Sequence, residues 1–158
     1  MDYKMLWFKI NHKIVTAQDY IDWALVEINN GKQAVELYAI ASYTSSACTE
    51  LIQKAFDSYS KCMPEPSPFA QLASYIDGQI KDIQQDDGWE QAVQQLKKVW
   101  LHYGQPSPLA IWYELATMLT ELTTQDILEK EQIYQRAFEE AYAYRSLYCF
   151  TRSTLWKS

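Results

Sequence analysis

Acidic side chains are the first residues in this sequence whose type and spacing suggest chemistry. Four carboxylates stand close together at Asp82, Asp86, Asp87 and Glu90, and two carboxylates on either side of a glycosidic bond can hydrolyse it. Asp86, Asp87 and Glu90, however, fall at the start of a predicted helix, where the helix dipole favours negative charge. Neighbouring acids on a helix also usually form a solvated face. We therefore expect these carboxylates to bind a partner or face solvent rather than catalyse a reaction.

The sequence contains no motif of a metal site or of a catalytic nucleophile. The spacings His-Glu-x-x-His, Glu-x-x-His and Cys-x-x-Cys are all absent. The sequence has two histidines, His12 and His102, and three cysteines, Cys48, Cys62 and Cys149. No Gly-x-Ser-x-Gly, phosphate-loop or dinucleotide motif occurs, and only four glycines are present to build one. An odd number of unpatterned cysteines is typical of reduced thiols in the cytosol. The sequence predicts no cofactor, no bound metal and no enzymatic activity.

Aromatic residues are concentrated near the end of the sequence. We predict one buried helix face from residues that follow one another at intervals of three or four positions: Phe138, Ala141, Arg145 and Tyr148. Tyr142 and Tyr144 cannot both lie on that face, because residues two apart diverge on a helix. Tyr, Trp and Arg commonly carry the binding energy of protein interfaces, although a wide core face with hydroxyls reaching water is the alternative. The predicted partner-binding residues are Asp82, Asp86, Asp87, Glu90, Tyr142, Tyr144, Arg145 and Tyr148.

Helix start and stop signals show which elements must position these side chains. Thr16 and Asp19 have the spacing of a capping box, and Ser67-Pro68 and Ser107-Pro108 are typical helix openings. Six to seven helices are predicted, with start signals near Thr16, Gln33, Ala47, Pro68, Asp87, Ser107 and Thr123. Residues 5–15 partly alternate between apolar and polar types, so that an extended and a helical conformation both stay open.

These signals predict an all-α protein, with one domain covering residues 1–158. We expect six to seven helices, of which the C-terminal one is long, in a compact bundle or in stacked helix pairs. The chain length and the hydrophobic content of 48% suffice for one core. The segments 66–70 and 106–110 match at an offset of 40 residues, which is a period seen in stacked helix pairs. The alternative is that Ser-Pro simply opens two helices.

The net charge of −6 restricts the classes of partner. No basic stripe is present, so the electrostatic attraction that dominates nucleic-acid binding is missing, and an anionic membrane is disfavoured for the same reason. No apolar stretch approaches the 18 residues of a membrane span. A basic protein partner would be attracted. We expect a cytoplasmic protein that binds protein rather than nucleic acid or membrane.

The segment 16–56 carries a family resemblance. It reads Thr-Ala-Gln-Asp-Tyr-Ile-Asp-Trp-Ala-Leu, then Asn-Asn-Gly-Lys, Val-Glu-Leu-Tyr-Ala-Ile-Ala-Ser and Leu-Ile-Gln-Lys-Ala-Phe. This order of helix, glycine, helix, Ser-rich turn and helix resembles small acidic all-helical immunity proteins encoded beside bacterial polymorphic or contact-dependent toxins. The resemblance implies stoichiometric binding of a cognate toxin, such as a basic toxin domain, without chemistry.

Three alternatives stay open beside this hypothesis. The chain is an α-solenoid-like scaffold or adaptor, or it binds a small ligand between helices near Trp89, Trp100 and Trp112, or it forms a homodimer through its last helix. The sequence does not distinguish among them.

Overall fold

The computed structural model describes residues 1–85, 88–122 and 126–151, with side chains up to Tyr144. In these ranges the chain is all-helical, with no strand. The helices are α1 (Tyr3–Asn11), α2 (Ala17–Asn29), α3 (Val35–Ala41), α4 (Thr49–Ser60), α5 (Pro68–Gln84), α6 (Trp89–His102), α7 (Ala110–Glu121) and α8 (Ile127–Thr151), and a 3-10 turn at Ser107–Leu109 precedes α7. The predicted all-α class is confirmed. The predictions of compactness, a long last helix and a single domain stay predictions.

The chain divides into two units, Met1–Tyr75 and Ile76–Ser158. The first unit is built around an aromatic cluster centred on Phe56 of α4. Its ring lies 5.4 Å from the ring of Trp7, 5.5 Å from that of Tyr20 and 5.2 Å from that of Trp23. The fully buried aliphatic side chains of this core are Leu6, Leu37, Ile40 and Ile52. The core therefore draws on each of the first four helices.

The segment 5–15, for which the sequence allows an extended or a helical conformation, is helical as far as Asn11, where α1 ends. Leu6 is buried in the Phe56 cluster, whereas the ring of Phe8 stacks on Tyr75 at 4.2 Å. Asp2 accepts a hydrogen bond from the Met5 amide at 2.8 Å, which caps the helix. A helix that packs on two sides buries residues two apart, and this produces an alternation like that of a strand.

Helix α2 begins where its sequence signals predict. The Thr16 hydroxyl accepts a hydrogen bond from the Asp19 amide, and the Asp19 carboxylate accepts one from the Thr16 amide at 2.8 Å, so the capping box is confirmed. Gly31 follows the helix with φ +87°, the left-handed conformation that glycine adopts most readily. Ser67 caps α5 through the Ala70 amide.

The second unit contains the end of α5 together with α6, α7 and α8. Among the described residues of this unit, the largest fully buried side chain is Trp112 of α7. Helices α6 and α7 pack together, and the Gln94 side chain donates to the Ala116 carbonyl oxygen at 3.0 Å. Helix α8 packs on α7. The buried side chains of this unit, including those at the end of α5, include Ile76, Ile80, Ile83, Trp89, Val93, Leu96, Trp112, Leu115, Ile133, Ala137 and Ala141.

Two local predictions in the second unit need correction. Asp87, near which α6 was predicted to begin, lies outside the described residues, and the structure gives Gly88 as the N-cap, with φ +70°. Ser107-Pro108 opens a 3-10 turn rather than α7 itself, which begins at Ala110. The two matching Ser-Pro segments therefore begin different local structures, because Ser67-Pro68 leads directly into α5.

Candidate protein-binding surface

Helix α8 carries two apolar faces, of which one is buried. Ile133, Ala137 and Ala141 recur at every fourth residue and are 3%, 0% and 0% exposed. This stripe differs from the predicted inward face. Phe138 of that predicted face is 37% exposed, and only Ala141 of its described members is buried. The prediction of the inward face was wrong because apolar residues cover more than one side of this helix.

The second apolar side of α8 is exposed. Tyr134, Phe138 and Tyr142 are spaced by four residues, so they form one stripe, which we call the aromatic face. Tyr134 is half-buried and its ring lies 5.2 Å from that of the buried Trp89, whereas Tyr142 is 66% exposed. The Phe138 ring follows at 6.3 Å from Tyr134. The stripe therefore begins against the α6 side of the unit and ends in solvent.

Aliphatic side chains extend this exposed surface toward the start of α8. Ile127 is 74% exposed and Leu128 is 81% exposed. Exposed large apolar side chains grouped on one element indicate an interaction site more strongly than single ones scattered over a surface. Tyr and Phe are also among the residues enriched at protein interfaces.

Acidic residues border the aromatic face. Glu131 lies three residues before Tyr134 and seven before Phe138, which places it on the same side of the helix. Glu139 lies three residues before Tyr142 and is exposed, like Glu131. Such a combination of apolar rings with bordering carboxylates suits a partner that offers apolar side chains and positive charge.

The predicted acidic residues are only partly described by the structure. Glu90 of α6 is exposed and its carboxylate lies 2.6 Å from the Lys130 ammonium of α8, so this acid reaches the helix that carries the aromatic face. Asp82 is exposed in the last turn of α5. Asp86 and Asp87 lie outside the described residues.

The predicted tyrosines diverge, as their spacing requires. Tyr142 is exposed, whereas Tyr144 is half-buried and its hydroxyl oxygen is not accessible to solvent. Tyr144 therefore belongs to the packed side of α8 and is not part of the aromatic face. The side chains of Arg145 and Tyr148 lie outside those that the structure describes.

Several exposed residues of this surface were not singled out by the sequence. Phe138 was predicted to face inward, no face was predicted for Ile127 and Leu128, and no local signal shows that these three side chains face solvent. Lys130 was missed because its ion pair joins residues 40 positions apart. Tyr134 belongs to the concentration of aromatic residues near the end of the sequence, but it is not among the predicted partner-binding residues.

The tryptophans that suggested a small-ligand pocket are largely part of the core. Trp112 is fully buried and Trp89 is 8% exposed. Trp100 is half-buried and its ring lies 4.5 Å from that of Tyr113, over which the Lys97 ammonium is placed at 5.1 Å. These contacts are those of helix packing between α6 and α7.

The described part of the chain contains no group of three His, Cys, Asp or Glu side chains that could hold a metal ion. His12 stacks on Phe8 at a ring distance of 3.9 Å, and its Nδ1 lies 2.9 Å from the Phe8 carbonyl oxygen. His102 lies beside Tyr103, whose phenol pKa is raised by burial. None of the helices in residues 1–85, 88–122 and 126–151 is long and apolar enough to cross a membrane.

Comparisons with known proteins add no family to this description. No protein-family model, no curated protein and no solved structure matches the chain. The surface of α8 is therefore the feature of the molecule from which a function can be inferred.

Proposed function

We propose that this protein is a non-enzymatic binding module that holds a basic protein partner against α8. The observation that carries the proposal is the exposure of Phe138 and Tyr142 on a side of α8 distinct from its buried stripe. Covering a fully exposed large apolar side chain contributes on the order of 1.5–3 kcal/mol, so Tyr142, which is 66% exposed, has more to contribute than Phe138, which is 37% exposed. Two such rings with neighbouring aliphatic side chains supply the centre of an interface, and the acids beside them select positive charge.

The finer form of the proposal is neutralisation of a toxin. A stoichiometric inhibitor needs a surface and no catalytic residues, which agrees with the resemblance of segment 16–56 to immunity proteins. The partner in this case is a basic cytotoxic domain, and the site of action is the bacterial cytoplasm. Cys48 and Cys62 are exposed free thiols, a state that a reducing compartment maintains.

The test is affinity capture from the native host with three versions of the full chain. The first is the natural protein, the second carries Phe138→Ser and Tyr142→Ser, and the third carries Val35→Ser. Val35 is 80% exposed on α3 and serves as a matched control, since it also removes an exposed apolar side chain. We expect one dominant basic protein to be retained by the first and third versions and lost by the second.

Two results would contradict the proposal. One is capture of the same proteins by all three versions, and the other is recovery of only a second copy of this chain, which would favour the homodimer. The toxin form is tested separately by expressing the captured partner in a sensitive cell. We expect growth arrest that the natural chain relieves at a one-to-one ratio and the α8 variant does not.

A further inference from the structure

A groove runs between the C-terminal end of α7 and the first half of α8. Its volume is about 490 Å³. The lining residues are Met118, Glu121, Leu122, Glu129, Gln132, Ile133 and Arg136. Ile133 is buried, Leu122 is half-buried and Met118 is 39% exposed, so these three give the groove an apolar floor. The polar members form its rim.

The groove and the aromatic face lie on different sides of α8. Arg136 and Phe138 are two residues apart, and residues at this spacing point to nearly opposite sides of a helix. Ile133 belongs to the buried stripe that separates the groove from the aromatic face. The groove is thus a second surface feature of the same helix and can be tested apart from the first.

Negative charge dominates the rim of the groove. Glu121 and Glu129 are exposed, and the one positive charge among the lining residues, Arg136, is shared with Glu114 of α7 through a 3.1 Å ion pair. Helix α7 has no basic residue in its last turn. Its terminal carbonyl groups carry partial negative charge, and Glu121 adds a full one at the same end. The negative charges at this end of α7 repel one another in the free protein. A bound cation would relieve that repulsion.

From this arrangement we infer that the groove receives a lysine or arginine side chain of the protein partner. The apolar floor suits the methylene stem of such a side chain, and the rim carboxylates suit its charged end. This inference rests on the proposed function, because it identifies the chemistry by which the same partner is held. It also explains how an acidic protein would select a basic partner by contacts in addition to its overall charge.

The experiment uses the full chain with methyl-labelled Met and Ile, observed by NMR. The probe is n-butylguanidinium, and n-butanol is the neutral control of similar apolar length. We expect saturable shifts of the Met118 and Ile133 methyl signals with the guanidinium probe and much weaker shifts with the alcohol. Equal saturation by both compounds would overturn the inference, since it would show an apolar site without charge selection.

The charge requirement is tested by the double variant Glu121→Gln and Glu129→Gln. We expect its apparent affinity for n-butylguanidinium to fall about three- to tenfold, the range that two exposed ion pairs provide. Glu50→Gln is the control, because this exposed carboxylate lies on α4 in the first unit and belongs neither to the groove nor to the aromatic face. An unchanged affinity in the double variant would overturn the inference.

The two proposals fail in different ways. Capture that depends on Phe138 and Tyr142 supports the binding function, whatever the probe does. If that partner is retained equally by the Glu121→Gln, Glu129→Gln variant and the natural chain, the groove is not where its cationic side chain binds. Loss of capture in the α8 variant together with weakened capture in the groove variant is the result that we expect.

Discussion

At the scale of single residues, the Asp19 carboxylate joins two helices of the first unit. It accepts hydrogen bonds from the Thr16 amide at 2.8 Å and the Thr16 hydroxyl at 2.9 Å, and the Lys9 ammonium of α1 lies 2.6 Å from its other oxygen. Asp19 is 7% exposed. We expect Asp19→Ala to lower the free energy of unfolding by about 2–3 kcal/mol, because bonds to a charged group are lost where water cannot replace them fully.

Urea unfolding measures this loss. Asp22→Ala is the matched control, since Asp22 lies on the same helix and bonds only the exposed side chain of Gln18 among the partners that the structure gives it. We expect the control to cost less than about 0.5 kcal/mol. Similar losses in the two variants would show that the Asp19 contacts do not hold the start of α2.

The Tyr20 hydroxyl presents the opposite situation. Tyr20 is fully buried, and no residue in the described part of the chain forms a hydrogen bond with its hydroxyl group. Burial, and then the carboxylates of Asp57 and Asp19, raise the pKa of this phenol. Since a buried hydroxyl without a partner gains nothing from folding, we expect Tyr20→Phe to be neutral or stabilising by up to about 1 kcal/mol at pH 7.

The pH dependence of stability follows from the raised pKa of Tyr20. The unfolded chain releases this proton near pH 10, whereas the folded chain retains it to higher pH, so unfolding becomes more favourable as the pH rises past about 10. We expect Tyr20→Phe to lose less stability than the natural chain between about pH 9 and pH 11. Tyr59→Phe is the control. Tyr59 packs against the same core but is only half-buried, and its hydroxyl oxygen accepts a hydrogen bond from Lys32. Parallel pH profiles for the natural chain and Tyr20→Phe would contradict this account.

At the scale of elements, local signals and long-range packing explain what the sequence could and could not predict. Thr16 with Asp19 and Ser67 with Pro68 act within one helical turn, so the starts of α2 and α5 were predictable. The conformation of α1 was not, because Phe8 packs on Tyr75, which is distant in sequence.

The buried face of α8 could not be predicted from the sequence for the same reason. A wide apolar pattern indicates that α8 has more hydrophobic residues than one face needs. It does not show whether Ala137 or Phe138 lies inward, since that depends on where α7 packs.

The end of α7 offers a prediction at this scale. Glu121 is the last residue of the helix, where a carboxylate faces the partial negative charge of the terminal carbonyl groups. We expect Glu121→Lys to stabilise the free protein by about 0.3–1 kcal/mol in urea unfolding and to abolish binding of n-butylguanidinium in the groove.

Glu139→Lys is the control for this prediction, because it changes the net charge equally at a position in the interior of α8. Equal stabilisation by both variants would mean that total charge, and not the helix end, is responsible. A gain in stability with loss of binding would mark Glu121 as a residue kept for recognition.

At the scale of the whole molecule, the two units each have their own buried side chains, while one helix belongs to both. Helix α5 runs from Pro68 to Gln84, and the division between the units falls within it after Tyr75. Melting of either core would leave half of this helix without its packing. Because helix formation is cooperative, we expect that loss to spread along α5. The prediction is a single unfolding transition for the chain.

Fluorotryptophan labelling can report the two units separately. Trp23 lies in the first unit and Trp112 in the second, and both are fully buried. We expect their 19F signals to disappear at the same urea concentration in the natural chain. Leu37→Ala, which empties a fully buried position of the first unit, should cost about 2–5 kcal/mol and lower both midpoints together. Val35→Ala on the same helix is the surface control, since Val35 is 80% exposed, and it should move neither midpoint. A Leu37→Ala chain in which only the Trp23 signal is lost early would show that the units unfold independently and that residues 1–158 form two domains.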